Sequence, residues 1–207
     1  MPVKSNREYR NMAEFRTAET APEEKRVTGY ASTFNEPYTL FEGDGWVYQE
    51  VVDPGAFENT DMSDVIMQYD HNGRVFARTS NNTLEIRTDD HGLYISADLG
   101  GTELGRQLYE EIRGGYTDKM SFGFVVDGES EEREEREGQK TLYTRRITSI
   151  KKLYDVSAVS IPANDATEIS VRNLSDGVIE KIQAERLEAK RLEVRRRATM
   201  KRGLSND

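Results

Sequence analysis

Cysteine is absent from all 207 residues, which excludes a disulfide framework, a thiolate zinc site and a cysteine nucleophile together. No apolar run approaches the roughly 20 residues that a bilayer-spanning helix needs. The opening stretch MPVKSNREYRNMAEF also lacks the apolar core of a secretory signal, so we expect a cytoplasmic protein. An excess of basic charge is missing as well: 29 Lys and Arg stand against 38 Asp and Glu, a net charge of -9. That balance argues against general nucleic-acid binding, whose affinity comes largely from clustered cations. Fingerprints of the common enzyme classes are lacking too. There is no GxxxxGK[ST], no H-E-x-x-H and no G-x-S-x-G, and Gly100-Gly101 lacks dinucleotide-motif spacing. No cofactor is expected. A metal centre on His71, His91 and nearby Asp residues is disfavoured, because the His spacing suits no compact zinc motif.

What is present has three textures. Apolar residues make up 35% and charged residues 32%, a low apolar share for a chain globular from end to end, so one domain with appendages is expected. Residues 1–25 are polar and weakly periodic and read as a flexible N-terminal arm. From Arg26 to Val171 the sequence turns to short alternating segments cut by Gly, Asn and Asp, the pattern of strands with tight connections. Strands are expected at 26–34, 46–52, 64–70, 74–79, 82–88, 92–99, 119–127, 140–147 and 149–161. TDDHGLYIS reads as a hairpin turning at Asp89, Asp90 and Gly92. One helix interrupts the strands: Leu104, Leu108 and Ile112 recur every four residues, Thr102 can cap the start, and Gly114-Gly115 ends it. GESEEREEREGQK at 128–140 has no apolar residue and reads as a solvated loop.

The third texture, a charged helical tail over 172–207, centres on a long helix expected at 176–202, rich in Glu, Lys, Arg, Ala and Leu. Its apolar positions (Val178, Ile182, Leu187, Leu192, Val194) are sparse, so the helix either pairs weakly with a partner, including a second copy, or stays solvated. Arg195, Arg196, Arg197, Lys201 and Arg202 make its end basic, suited to an acidic scaffold, to nucleic acid or to the helix dipole.

Chemistry turns on scarcity. A general base near neutral pH is usually histidine, and only His71 and His91 exist. His91 falls in the Asp-Asp-His-Gly turn, where a solvated turn residue is the simpler reading. His71 follows the apolar run DVIMQYD and precedes Asn72-Gly73, where a rigid strand hands over to a loop, a favourable place for a functional group. Among many serines, Ser121 stands out within KMSFGF. Alternation puts Met120, Phe122 and Phe124 on one face and Ser121, Gly123 and Val125 on the other. A small hydroxyl beside a glycine that leaves room for a substrate suits a nucleophile, and equally suits a tight sheet contact.

The runs RVTGYASTFNEP, EVVDPGAF, IMQYDHNGRVFAR, TELGRQLYEEIRGGYTDKMSFGF and LYDVSAVSIPANDATEI, in that order, resemble the prohead protease family of tailed phages over about residues 26–170. The resemblance implies a β-barrel-like α+β serine protease, distantly similar in fold to herpesvirus capsid proteases; together with the residue reading above, this gives a mainly antiparallel core, one or more short helices and a long C-terminal helical tail. It implies an endopeptidase acting inside the immature prohead, in the bacterial host cytoplasm, on major capsid and scaffold proteins and on itself. No membrane or specific nucleic-acid partner is implied. Ser121 becomes the nucleophile and His71 the base. A non-catalytic scaffold or assembly adaptor is the competing reading.

The herpesvirus proteases use a second histidine after the serine, and this chain has none beyond position 121. A carboxylate is the natural substitute, because an imidazole base works best with its other nitrogen donating to a fixed acceptor. Asp155 in LYDVSAVSI fits, a lone charge in a mostly apolar strand whose alternation groups Leu153, Asp155, Ser157, Val159 and Ile161 on one face. The alternatives are an Asp on a solvated edge, or one paired with Arg145 or Arg146. Backbone N–H groups of Ala163 and Asn164, in the loop after Pro162, are candidate oxyanion donors.

Overall fold

The structure, a computed structural model, describes residues 7–17 (11–17 by backbone alone), 24–135, 138–160, 180–192 and 195. The chain divides into two compact units, Met1–Ala166 and Thr167–Asp207.

Alternation dominates the first unit and produces its strands: β1 (Glu8–Thr17), β2 (Arg26–Thr33), β3 (Tyr38–Gly43), β4 (Trp46–Val52), β5 (Ile66–Tyr69), β6 (Asn72–Arg78), β7 (Leu84–Thr88), β8 (Gly92–Asp98), β9 (Lys119–Glu134) and β10 (Thr141–Val159). Among the described residues they form one sheet in the order β3-β4-β10-β9-β1-β2-β8-β7, with β5 attached to β10 and β6 to β5. Most pairs are antiparallel, but β10 runs parallel to both β4 and β5. The barrel-like core expected from the sequence is therefore an open sheet, mixed at β10. Its end strands β3 and β7 do not pair with each other. The physical reason is a fork: the first half of β10 bonds β4 and the second half bonds β5 on the same side.

Three boundaries differ from the sequence reading. Residues 8–17, expected as part of a flexible arm, form β1 in the middle of the sheet, between β9 and β2. The run GESEERE, expected as a loop, continues β9 and pairs with β10 from Glu129↔Ile147 to Glu134↔Leu142. Its side chains are mostly exposed, so no core-facing alternation marked it as strand. The two strands expected at 140–147 and 149–161 are one, β10, bent by register shifts around Ser149. The short strand β3 was not anticipated.

The helix α1 (Glu103–Arg113) starts as expected, with Thr102 Oγ1 accepting from Gly105 N at 2.9 Å. Leu108, Tyr109 and Ile112 are buried, whereas Leu104 is mostly outward. The helix ends at Gly114, and Gly115 takes φ +72°. In the tail, residues 180–192 are helical. The other positions of the long helix expected at 176–202, apart from Arg195, lie outside the described residues. No described helix is long and apolar enough to cross a membrane.

The core gathers Met120, Phe122 and Phe124 of β9 with Leu153, Val156 and Ala158 of β10, as the alternation of KMSFGF requires. At one end of it lies a buried knot of charge. Arg10 holds Glu50 through two bonds of 2.7 and 2.8 Å and Glu8 at 2.6 Å. Arg145 holds Glu8 at 2.6 and 3.0 Å and Glu50 at 2.7 Å. Glu129 and the Tyr38 hydroxyl close the rim on Arg145 and Glu50 respectively. Burial pushes the Glu8 carboxyl up, but the bond from Arg145 and the charges of Arg10 and Arg145 outweigh it and hold it below the usual range. The knot ties β1, β4, β9 and β10 together.

Removing one partner from a buried ion pair strands the other, so Arg145→Met is expected to cost about 3–5 kcal/mol in urea unfolding. A loss under about 1 kcal/mol would mean that the knot behaves like an exposed pair. Because the folded Glu8 carboxyl lies below its ordinary 4.5, its contribution is present above that pH and is lost on acidification through the folded value. Glu8→Gln should flatten the stability profile in that acid window.

Candidate active site

Three elements far apart in sequence converge on one face of the sheet. The first is the β5–β6 hairpin. Tyr69 pairs with Asn72, leaving Asp70 and His71 as a two-residue turn with φ +48° and +54°. Positive φ at both central residues is the geometry that matches the twist of paired strands and usually selects Asn or Gly. Here the cost is offset by anchoring. Asp70 N donates to Ala158 O at 2.8 Å, and the Asp70 carboxylate accepts from Ser160 N at 2.9 Å and Ser160 Oγ at 2.8 Å. His71 is thus part of the turn itself, while Asn72-Gly73, expected as loop, begins β6.

The second and third elements are β9 and β10, adjacent and antiparallel. Ser121 pairs with Ser157 and Gly123 with Asp155. Strict alternation would put Asp155 on the face of Leu153, but Leu153 pairs with Phe124, in the core. Two steps along β10 match one along β9, so Tyr154 is the extra residue of a β-bulge, which turns Asp155 to the face of Ser121.

The side chains meet there. His71 Nε2 lies 2.7 Å from Ser121 Oγ, and His71 Nδ1 lies 2.5 Å from Asp155 Oδ1, which also accepts from Ser157 Oγ at 2.8 Å. Since an ionised carboxylate can only accept, Nδ1 carries the proton and Nε2 is left as acceptor for the serine hydroxyl. Ser121 and Asp155 are buried, whereas the His71 side chain is 17% exposed, so solvent reaches the trio at the imidazole. The order along the chain is His, Ser, Asp, unlike the three orders found in unrelated hydrolase folds, and such trios are recognised by geometry rather than by position.

Other expectations resolve differently. Arg145 is engaged in the buried knot and Arg146 lies 3.3 Å from Asp53, so neither pairs with Asp155. The arginine beside Asp155 is Arg7, with Nη1 at 3.8 Å from Oδ2. Tyr9 packs on the His71 ring with centroids 4.2 Å apart. The sequence reading missed both, together with Asp70 and Ser157. β1 left no usable apolar signal, because its buried residues include Glu8 and Arg10 and its register shifts between Asn11 and Ala13. Gly123 leaves no room for a substrate: a Cβ there would strike Asp155 Oδ2 and come within 2.8 Å of the Tyr9 ring. His91 sits in the β7–β8 turn, its N–H bonded to Asp89 and its ring against Tyr30. Ala163 and Asn164 lie outside the described residues.

Gly123→Ala is expected to destabilise the fold by about 1–3 kcal/mol and to shift the low-field proton resonance of His71 Nδ1 as Asp155 is displaced. Unchanged urea unfolding with an unchanged proton signal would show that the crowding is relieved without moving the carboxylate.

Searches of curated proteins and of solved structures found no match. Residues 11–181 match the family model of the caudovirus prohead serine protease. That span holds His71, Ser121 and Asp155 and most of the chain, which therefore belongs to the caudovirus prohead serine protease family.

Proposed function

We propose that the chain is the serine endopeptidase that matures a tailed-phage prohead, with Ser121 as nucleophile, His71 as general base and acid, and Asp155 as the group that orients His71. The unbroken hydrogen-bond chain from Ser121 Oγ through both imidazole nitrogens to Asp155 carries the reading. His71 Nε2 takes the hydroxyl proton as Ser121 Oγ adds to the scissile carbonyl carbon. The resulting imidazolium returns that proton to the leaving amine as the C–N bond breaks, leaving an ester on Ser121. Water, deprotonated by the same nitrogen, hydrolyses the ester and restores the hydroxyl. Asp155 fixes the tautomer throughout and stabilises the imidazolium without taking its proton. Ala163 and Asn164 are the proposed N–H donors to the oxyanion. In support, Ser160 is anchored by Asp70, which fixes where the chain leaves the sheet beside the site.

The substrates in this reading are major capsid and scaffold proteins within the immature prohead in the bacterial host, in keeping with the family's description. Self-cleavage at the chain ends is part of it, outside β1, whose backbone pairs with β9 from Glu8 to Glu14 and with β2 from Phe15 to Thr17.

Purified protein is expected to react with a fluorophosphonate at Ser121, located by mass; silence at every serine would favour a non-catalytic adaptor. Ser121→Ala and His71→Ala should each abolish cleavage of co-expressed capsid protein and keep the fold. Each alone should cost nearly as much as both together, up to about a million-fold. A double variant far slower than either single one would mean that the two do not act as a unit.

Asp155→Asn should keep some reactivity toward the small probe yet slow peptide cleavage roughly a hundred-fold or more, as tautomer control is lost. Cleavage within a few-fold of wild type would assign the orienting role elsewhere. Wild-type protein made alone should shorten at its ends while Ser121→Ala stays full length, and identical truncation of both would point to host proteases.

A further inference from the structure

We infer, building on the role proposed for Ser121, His71 and Asp155, that the N-terminal strand is part of the catalytic apparatus, with Arg7 and Tyr9 as positioning residues for Asp155 and His71. The starting observation is an imbalance on Asp155. Its Oδ1 takes two hydrogen bonds, while Oδ2 is buried and takes none. A buried carboxylate oxygen that has lost water and gained no donor is costly, and the cost falls when a cation stands nearby. Arg7 Nη1 stands 3.8 Å from that oxygen.

Arg7 is itself held in place. Its guanidinium lies over the Tyr154 ring, 3.7 Å from the centroid, a geometry that stacks and attracts at once. Tyr154 is the extra residue of the bulge that turns Asp155 toward Ser121. One irregularity in β10 therefore delivers both the carboxylate and the platform for its counter-ion. Arg7 faces Oδ2, while the imidazole binds the other oxygen.

Tyr9 acts on the neighbouring group. Tyr9 pairs with Gly123, and Gly123 pairs with Asp155, so the three form one row across β1, β9 and β10. The Tyr9 ring rests against His71 at 55°. A histidine on a two-residue turn has few neighbours to fix its rotamer, and this ring is one. Alternation sends Arg7 and Tyr9 to the site and Glu8 and Arg10 to the buried knot on the opposite face, so the strand is locked from behind while it supports the catalytic groups in front.

The test uses the full chain and fluorophosphonate labelling of Ser121, resolved into the maximal inactivation rate and the half-saturating probe concentration. Arg7→Gln is expected to lower the maximal rate about thirty-fold with half-saturation nearly unchanged, since small misplacements of reacting groups cost up to about a hundred-fold. Arg7→Lys, which keeps the charge, should recover most of that loss. Tyr9→Ala should lower the rate about ten-fold, and Tyr9→Phe should recover most of it. Rates are referred to folded protein by circular dichroism, and the Arg7 side chain is 30% exposed, so solvent can accommodate the substitutions. A maximal rate for Arg7→Gln within two-fold of wild type, or a lysine variant no faster than the glutamine one, would overturn the inference. If Arg7→Gln fails to fold, the Tyr9 pair decides: labelling of Tyr9→Ala at the wild-type rate overturns it. Wild-type protein that never labels at Ser121 would instead sink the protease reading itself.

Discussion

Two arginines neutralise two buried glutamates, and the order of the sheet depends on that exchange. β1 is the only link between the β9–β10 side and the β2–β8 side of the described sheet. Yet its inward residues include Glu8 and Arg10, which no core accepts unpaired. They are buried because Glu50 of β4 and Arg145 of β10 meet them with paired, charge-assisted bonds. Such knots seldom add much net stability over a hydrophobic core of the same volume. What this one supplies is register: shifting β1 by one residue would leave two arginines and two glutamates facing the wrong partners.

From that register the site follows by irregularity rather than by regular structure. The turn at Asp70 and His71 spends conformational energy on positive φ at two non-glycine residues, of a size typical of strained functional positions. The bonds from Asp70 to Ala158 and Ser160 offset it and fasten the hairpin to the end of β10. The bulge at Tyr154 breaks the alternation of β10 once, at the residue where a carboxylate must cross from the core face to the site face. Gly123 then completes the fit by omission, its missing Cβ leaving space for Asp155 and Tyr9.

Much of this could be read from residues alone, and what could not has physical causes. Ser121 was legible because it interrupts a row of bulky residues, and His71 because histidine is scarce; the motif order carried the family. Asp155 was reached by need, although the face assigned to its neighbour Leu153 was wrong, since a one-residue bulge leaves no trace in an alternating pattern. β1 was invisible because charge on a buried face imitates a solvated segment until its partners, more than a hundred positions away in the case of Arg145, are known. The extension of β9 through GESEERE was missed for the opposite reason: paired only to β10 and wet on both faces, it needs no apolar periodicity. The open, forked sheet, in place of a barrel, depends on which strands β10 pairs with, a long-range property that local pattern does not encode.

The placement of β1 also sets a clock. Glu8 and its partner Arg145 lie 137 positions apart, so β1 cannot complete its buried contacts until β10, the last described strand, has been made. At bacterial synthesis rates of about 5–20 residues per second, that interval is about 7 to 27 seconds. When His71 and Ser121 have both been made, Arg145 and Asp155 are still to come. Long-range pairing of this kind slows folding, and Ser121, His71 and Asp155 come together only after β10 has been made. The topology thus sets a delay between the synthesis of the first residues of the site and its assembly.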